Sequence, residues 1–159
     1  MNDLRLATYS LIYFVISGYT SNGWTGITVT DSFPKDPSKI DSLPTVCVSH
    51  DITSLEPFQL GPGKSNRRRF SVYVYAQEDG VRDDLSQDIA DHLFSNQCDI
   101  KNYNEGFPAP FGVAGEPSIV GRMDFENIRM ISNSMTDKPQ TAVRHLMQIT
   151  CDGIIYSDT

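Results

Sequence analysis

The sequence predicts an α+β fold, a single domain in which a mostly antiparallel sheet carries two helices packed against it. In residues 67–94 a strand-like alternation gives way to a helical pattern after a Glu78-Asp79-Gly80 turn. A second helical pattern opens the chain, and the other patterned segments alternate as strands do. Grouped helices and strands in this order are typical of α+β domains rather than of parallel βαβ units.

The first helix is predicted at Leu4–Ile16, a segment too short for a membrane span of about 20 apolar residues. Because Asp3 accompanies Arg5, the segment also lacks the positively charged start of a secretory signal. Its sequence contains a main apolar stripe and a partly apolar flank. The stripe is Leu4, Ala7, Leu11, Phe14 and Val15, and the flank is Tyr9, Ile12, Tyr13 and Ile16. We expect the stripe to meet the sheet and the flank to be available to another subunit.

Strands follow a glycine-rich turn at residues 18–26. Ile27–Asp31 and Pro44–Ser49 are rich in β-branched residues, and Ile52–Leu60 is a weaker strand candidate. Between the first two, residues 32–43 have no periodicity and predict an irregular loop.

The next strand and helix have the clearest patterns in the chain. In the strand Arg69–Ala76, one face carries Phe70, Val72, Val74 and Ala76, and the other Ser71, Tyr73 and Tyr75. In the helix, apolar residues recur every four positions and predict the buried side. They are Val81, Leu85, Ile89 and Leu93.

The last third of the chain predicts three strands. The loop near residues 104–118 is rich in glycine and proline, so we expect an ordered but irregular excursion. In order, the segments are the strand Cys98–Tyr103, that loop, the strand Ile119–Ser132 with candidate irregularities at Gly121 and Asn127, a turn at Thr136–Gln140, and the strand Ala142–Asp152.

Composition limits the function classes. The 159 residues suit one domain, and 39% hydrophobic with 21% charged residues is ordinary for a globular protein. The net charge of -7 argues against a surface built to neutralise phosphates. Cys47, Cys98 and Cys151 cannot all pair within one chain, and their apolar contexts favour a reduced compartment.

Motifs with catalytic associations are incomplete. Gly63-Lys64-Ser65 ends like a phosphate-binding loop, but Phe58 replaces the first glycine and no helix follows. Cys47 and His50 have a metal-like spacing, yet in a strand they point to opposite faces and no second pair is near. We therefore predict no catalytic, cofactor-binding or metal-binding residues and no enzyme activity.

Acidic residues dominate the outer side of the second helix. They favour the positive end of the helix dipole and a solvated face. In a ring they would also suit a lumen wall or a subunit boundary. The residues concerned are Asp83, Asp84, Asp88 and Asp91.

Two groups of side chains are candidate interface residues. Arg67, Arg68 and Arg69 follow the Gly61-Pro62-Gly63 turn, and we expect them to contact a partner rather than nucleic acid. Trp24, Phe107 and Phe111 lie in glycine-rich loops, where aromatic residues serve equally as interface anchors or as packing on their own core.

The order of these segments resembles the tail terminator, or tail completion, proteins of long-tailed bacteriophages, which belong to a wider group of virion neck proteins. The resemblance covers most of residues 4–156. It rests on the first helix, the strand Pro44–Val48, the Glu-Pro-Phe-x-Leu-Gly stretch at Glu56–Gly61, the basic turn, the strand Arg69–Ala76 and the helix Asp83–Phe94.

The resemblance implies a virion structural protein, made in the host cytoplasm, that forms a six-membered ring at the head–tail junction. Such a ring caps the tail tube, ends its polymerisation and joins the head connector, and DNA passes through its lumen without specific binding. A neck or head-completion protein of the same junction is the first alternative. An enzyme whose site is scattered along the sequence is the second.

Overall fold

The computed structural model describes residues 3–30, 44–54, 65–113, 115–134 and 145–157, which form a single α+β domain, as predicted. Its sheet has six strands and is mostly antiparallel. The elements in chain order are α1 (Asp3–Ser21), β1 (Thr28–Thr30), β2 (Thr45–Ser54), β3 (Ser65–Ala76), α2 (Asp79–Ser95), β4 (Cys98–Lys101), a 3₁₀ turn (Tyr103–Glu105), β5 (Ile119–Ser134) and β6 (His145–Ser157).

The strand order is β1-β2-β3-β6-β5-β4, and only β1 and β2 pair in parallel. One register shift, between Ile100 and Lys101 of β4, lies beside Gly121 of β5, where an irregularity was predicted. Two further bulges lie at the same height of the sheet. One interrupts β2 between His50 and Ile52, and the other interrupts β5 between Glu126 and Arg129. The predicted irregularity at Asn127 is confirmed, since this residue adopts a φ of 53° in the second bulge. Bulges increase strand twist, which accounts for the curl of the sheet.

The hydrophobic core lies between the two helices and one face of β3, β6 and their neighbours. Leu11, Ile12 and Val15 of α1 and Leu85, Ile89 and Leu93 of α2 are at most 1% exposed. They meet the sheet residues Val46, Val48, Phe70, Val72, Val74, Met123 and Ile149, all fully buried. The predicted repeat of α2 is thus confirmed as its core side at Leu85, Ile89 and Leu93, whereas Val81 is half-buried.

The first helix is longer than predicted, because it continues through Gly18 to Ser21. At Gly18, α1 passes so close to α2 that an added Cβ would lie 2.6 Å from the ring of His92. The glycine therefore serves a helix crossing rather than the start of a turn. The turn itself follows at Asn22 and Gly23.

Several strand boundaries also differ from the predictions. β2 runs without a break from Thr45 to Ser54 because its bulge absorbs the irregularity, and residues 55–60 of the weaker predicted strand lie outside the described residues. β6 extends five residues beyond Asp152. The loop after β4 begins with a 3₁₀ turn, although no regular structure was expected there. The predicted loop at residues 32–43 and the turn at residues 136–140 are likewise outside the described residues.

Candidate interaction surfaces

The three consecutive arginines belong to strand β3 and not to the turn before it, which corrects the prediction of a basic turn. Alternation along a strand sends neighbouring side chains to opposite faces. Arg68 therefore points to the helix-covered face, where it is 5% exposed. Arg67 and Arg69 share the opposite face and have half-exposed side chains.

Arg67 and Arg69 form ion pairs with acidic residues of two other strands, β5 and β6. Arg67 pairs with Glu126 of β5, and Arg69 Nε lies 3.2 Å from Asp152 Oδ1 of β6. Asn127, turned into the left-handed region by the bulge, donates its amide to Asp152 Oδ2 at 3.0 Å. We call these five residues the polar sheet face.

Asp152 is the buried centre of the polar sheet face, with a side chain that is 8% exposed. Burial by itself would raise the pKa of its carboxyl. The hydrogen bonds from Asn127 and Arg69, together with the charges of Arg69 and Arg67, outweigh burial and hold the pKa of Asp152 below its usual value. The carboxylate is therefore an integral part of this face rather than a free ligand.

The two predicted aromatic anchors Phe107 and Phe111 come together on one side of α1. Phe107 stacks on Tyr103 with ring centroids 5.5 Å apart and meets Tyr9 edge-on at 4.9 Å. Phe111 meets Tyr13 edge-on at 5.6 Å, and the Tyr13 hydroxyl donates to the carbonyl of Pro108 at 2.6 Å. On the flank of α1 that we expected to be available to another subunit, Tyr9 and Tyr13 are thus covered by the chain's own loop. Ile12, predicted on the same flank, is fully buried in the core instead.

The two ends of this loop are fastened to each other. Glu105 accepts the Ser118 backbone N–H at 2.8 Å and the Ser118 hydroxyl at 2.7 Å. These two bonds, followed by one from Asn102, lower the pKa of Glu105. The Asn102 backbone N–H also donates to the Ser118 carbonyl at 2.9 Å. Residues 103–118, which we call the aromatic loop, therefore have the closed ends of an Ω-loop.

The tip of the aromatic loop stays outside the core. Phe111 is 38% exposed and Val113 is fully exposed. Beneath the loop, a cavity of about 320 Å³ is bounded by α1, β4 and Pro108. The Cys98 thiol in its wall lies 3.6 Å from the Ser10 carbonyl, and burial raises its pKa, so it is protonated and not a nucleophile.

Trp24 lies against α2, in a different place from Phe107 and Phe111. Its indole N–H donates to Asp88 Oδ2 at 2.7 Å, and the ring is half-buried. The interaction fastens the segment after α1 to the acidic side of α2. Both residues were predicted as parts of interfaces, and the structure joins them within one chain.

The remaining acidic residues of α2 differ in their hydrogen bonds. Asp83 accepts from Arg82 Nε at 2.8 Å, and Asp91 accepts from the Gln87 amide at 2.7 Å. Asp83, Asp84 and Asp91 are all exposed. The outer side of α2 thus presents carboxylates to solvent.

The residues with a metal-like spacing, Cys47 and His50, do not form a common site. Cys47 is buried and His50 is exposed on the opposite face of β2. The described residues contain no group of three or more histidine, cysteine, aspartate or glutamate side chains that could hold a metal ion. In the same part of the chain, no helix is long and apolar enough to cross a membrane.

Sequence reasoning missed the partners of the predicted residues. Glu126, Asn127 and Asp152 lie far along the chain from the arginines, so that no local pattern signals the pairing. Tyr9 and Tyr13 were placed on the α1 flank, and their spacing could have indicated an internal aromatic cluster with Tyr103. No protein-family model matches this chain, and no curated protein matches it.

Proposed function

We propose that this chain is a structural subunit of a ring at the head–tail junction of a long-tailed bacteriophage. In this proposal the ring caps the tail tube, ends its polymerisation and joins the head connector, and the chain is not an enzyme. Support comes from the segment order across residues 4–156 and from its agreement with the α+β fold. The observation that carries the proposal is the aromatic loop.

The aromatic loop combines a fixed base with an apolar tip. Its base is held by the Glu105–Ser118 hydrogen bonds and by edge-on aromatic contacts with Tyr9 and Tyr13. Its tip exposes Phe111 and Val113. A loop ordered before binding loses little conformational entropy when it docks. This arrangement suits a protein whose task is to join other subunits.

The acidic side of α2 supports the same proposal through charge. The helix contains five aspartates against the single basic residue Arg82 at neutral pH. Exposed carboxylates repel the phosphates of passing DNA and so would line a conduit without holding its contents. The aromatic loop and α2 thus give each subunit two different surfaces, one suited to docking on the tail tube or connector and the other to facing the lumen.

The test measures assembly of the purified chain by native mass spectrometry and negative-stain imaging, alone and with the tail-tube protein of the same virus. We expect closed rings that bind the ends of tubes and stop their growth. Rings that bind the head connector but ignore tubes would favour the neck-protein alternative. A chain that stays monomeric and ignores both partners would overturn the proposal.

A matched pair of variants tests the aromatic loop. We expect the double variant Phe111→Ser/Val113→Ser to keep its fold and lose tube capping. Phe94→Ser removes an aromatic side chain that is 82% exposed at the end of α2 and serves as the control. Equal tube capping by the loop variant, the control and the wild type would remove the loop from the proposal.

A further inference from the structure

The two outermost strands cover only part of their neighbours. β4 pairs with β5 at Ile119–Met123, and β1 pairs with β2 at Thr45–Cys47. Among the described residues, no strand lies on the outer side of residues 124–134 of β5 or of residues 48–54 of β2. Within the described part of the chain, the sheet therefore has two open edge segments, one on each side.

The end of β5 has the properties of an exposed edge strand that can pair with another strand. Arg129, Met130, Ile131 and Ser132 are all exposed. Met130 and Ile131, on opposite faces of the strand, are 41% and 46% exposed. Natural edge strands are commonly protected by charges, proline or bulges. Residues 129–134 contain one charged residue and no proline, and the bulge of β5 lies before them.

The other open edge matches this one in direction, length and charge. β2 and β5 run in opposite directions within the sheet, so β2 of a second copy placed beside β5 continues the antiparallel order. Residues 48–54 are about as long as residues 129–134. At neutral pH the first segment contains Asp51 as its only charged residue by sequence, and the second contains Arg129.

The position of β1 decides the offset between the two strands. In the neighbouring copy, β1 occupies the outer side of Thr45–Cys47, so this stretch of the incoming β2 cannot pair with β5. The last residue of β5 must therefore lie beside the first residue of β2 that β1 leaves uncovered. This places Ser134 opposite Val48 of the neighbour and selects residues 129–134 as the paired segment. Such a stagger between tilted strands is what closure of a sheet into a ring requires.

We propose that a second copy of this chain adds residues 48–54 of its β2 to residues 129–134 of β5 as an antiparallel strand. Backbone hydrogen bonds hold the contact, and the neighbour covers Met130 and Ile131. The contact is heterologous, because each copy donates one edge and receives at the other. This inference rests on the proposed function, which supplies the ring of identical subunits. It adds the surface through which that ring closes.

Hydrogen exchange with mass spectrometry tests the contact by comparing assembled protein with dilute monomer. We expect amides of residues 129–134 and 48–54 to exchange at least about ten-fold more slowly in the assembly. Peptides of β3, already paired on both sides, serve as the control and should not change. An assembly whose edge amides exchange as in the monomer overturns this inference and leaves the ring proposal standing.

Proline variants give an independent test. Adjacent residues of a strand direct their N–H groups to opposite sides, so one of Met130→Pro and Ile131→Pro removes a bond to β6 and the other faces the open edge. We expect the edge-facing variant to keep the monomer's circular dichroism and to assemble at least about ten-fold more weakly. Met130→Thr and Ile131→Thr retain the backbone donors and should assemble.

Three further outcomes would overturn the inference. The first is a correctly folded proline variant that assembles like the wild type. The second is protection of residues 129–134 that develops only when tail-tube protein is added, which would assign this edge to a different partner. The third is a chain that stays monomeric at every concentration and ignores tubes, which would also overturn the proposed function.

Discussion

The two faces of β3 carry out different tasks with residues that alternate along one strand. On the helix-covered face, Phe70, Val72 and Val74 have no exposed surface. On the opposite face, Arg67 and Arg69 are half-exposed and pair with acidic residues of β5 and β6. Beyond this end of the strand the opposite face is also closed, because Ser71 and Tyr75 are fully buried. The polar sheet face is thus confined to the end of β3 that carries the arginines.

The side chains of the covered face can therefore be replaced or moved very little, whereas those of the polar sheet face have more freedom. On the covered side, an added Cβ at Gly153 would lie 2.7 Å from Met123 Sδ and 2.9 Å from Phe70 Cε2. Interiors packed this closely resist both larger and smaller side chains. On the polar sheet face, the half-exposed side chains of Arg67 and Arg69 extend to solvent and can move to meet a partner.

The largest expected effect comes from truncation on the covered face. Phe70→Ala leaves a cavity over Gly153 and Met123 and should lower the free energy of unfolding by about 3–5 kcal/mol. Tyr73→Ala, three residues along on the opposite face, removes a half-buried ring and should cost less than about 2 kcal/mol. Urea denaturation of both variants measures the difference. Equal losses would contradict the division between the two faces.

The sequence predicted the covered face well because its signal is local. The period of two in residues 70–76 and the four-residue repeat of α2 both follow from burial of one side of an element. Gly18 misled the prediction, since glycine is typical of turns. Here it lies inside a helix because His92 of another helix needs the space.

The polar sheet face and the aromatic loop could be predicted only in part. Arg67, Arg69, Phe107 and Phe111 stand out by residue type, but their surroundings depend on distant segments. Asp152 is 83 positions from Arg69, and Pro108 is 95 positions from Tyr13. Strand register brings the first pair together and packing of the loop on α1 brings the second. A single sequence contains no local pattern for either.

A smaller effect is expected from Asp152→Asn on the polar sheet face. The variant weakens the bonds from Arg69 and Asn127 to a buried carboxylate and should cost about 1.5–3 kcal/mol at pH 7. Because folding lowers the pKa of Asp152, its contribution is complete above the ordinary value of about 3.9 and is lost as the pH falls through the folded value. The difference between the variant and the wild type should therefore shrink below about pH 4.

Glu126→Gln is the matched control for Asp152→Asn, since it alters an ion pair whose two side chains are 46% and 41% exposed. An exposed pair contributes less than about 1 kcal/mol. Denaturant midpoints at a series of pH values distinguish the two variants. A cost for Glu126→Gln as large as that for Asp152→Asn would show that burial does not set the contribution of these carboxylates.

The smallest effect is expected at His92, where the helix layer itself contains a titratable group. Its ring lies 4.2 Å from that of Phe14, its Nε2 is 3.5 Å from the Ser17 hydroxyl, and burial lowers its pKa. The unfolded chain binds a proton at His92 more readily than the folded chain does. The contribution of His92 to the free energy of unfolding is therefore complete above about pH 6.5 and is lost as the pH falls through the pKa of His92 in the folded state. The melting temperature should decrease by at most about 2–4 °C between pH 7.5 and 5.5. His92→Gln should flatten this dependence, whereas His50→Gln, at an exposed position on β2, should retain it. An unchanged slope in the His92 variant would place the pH sensitivity elsewhere.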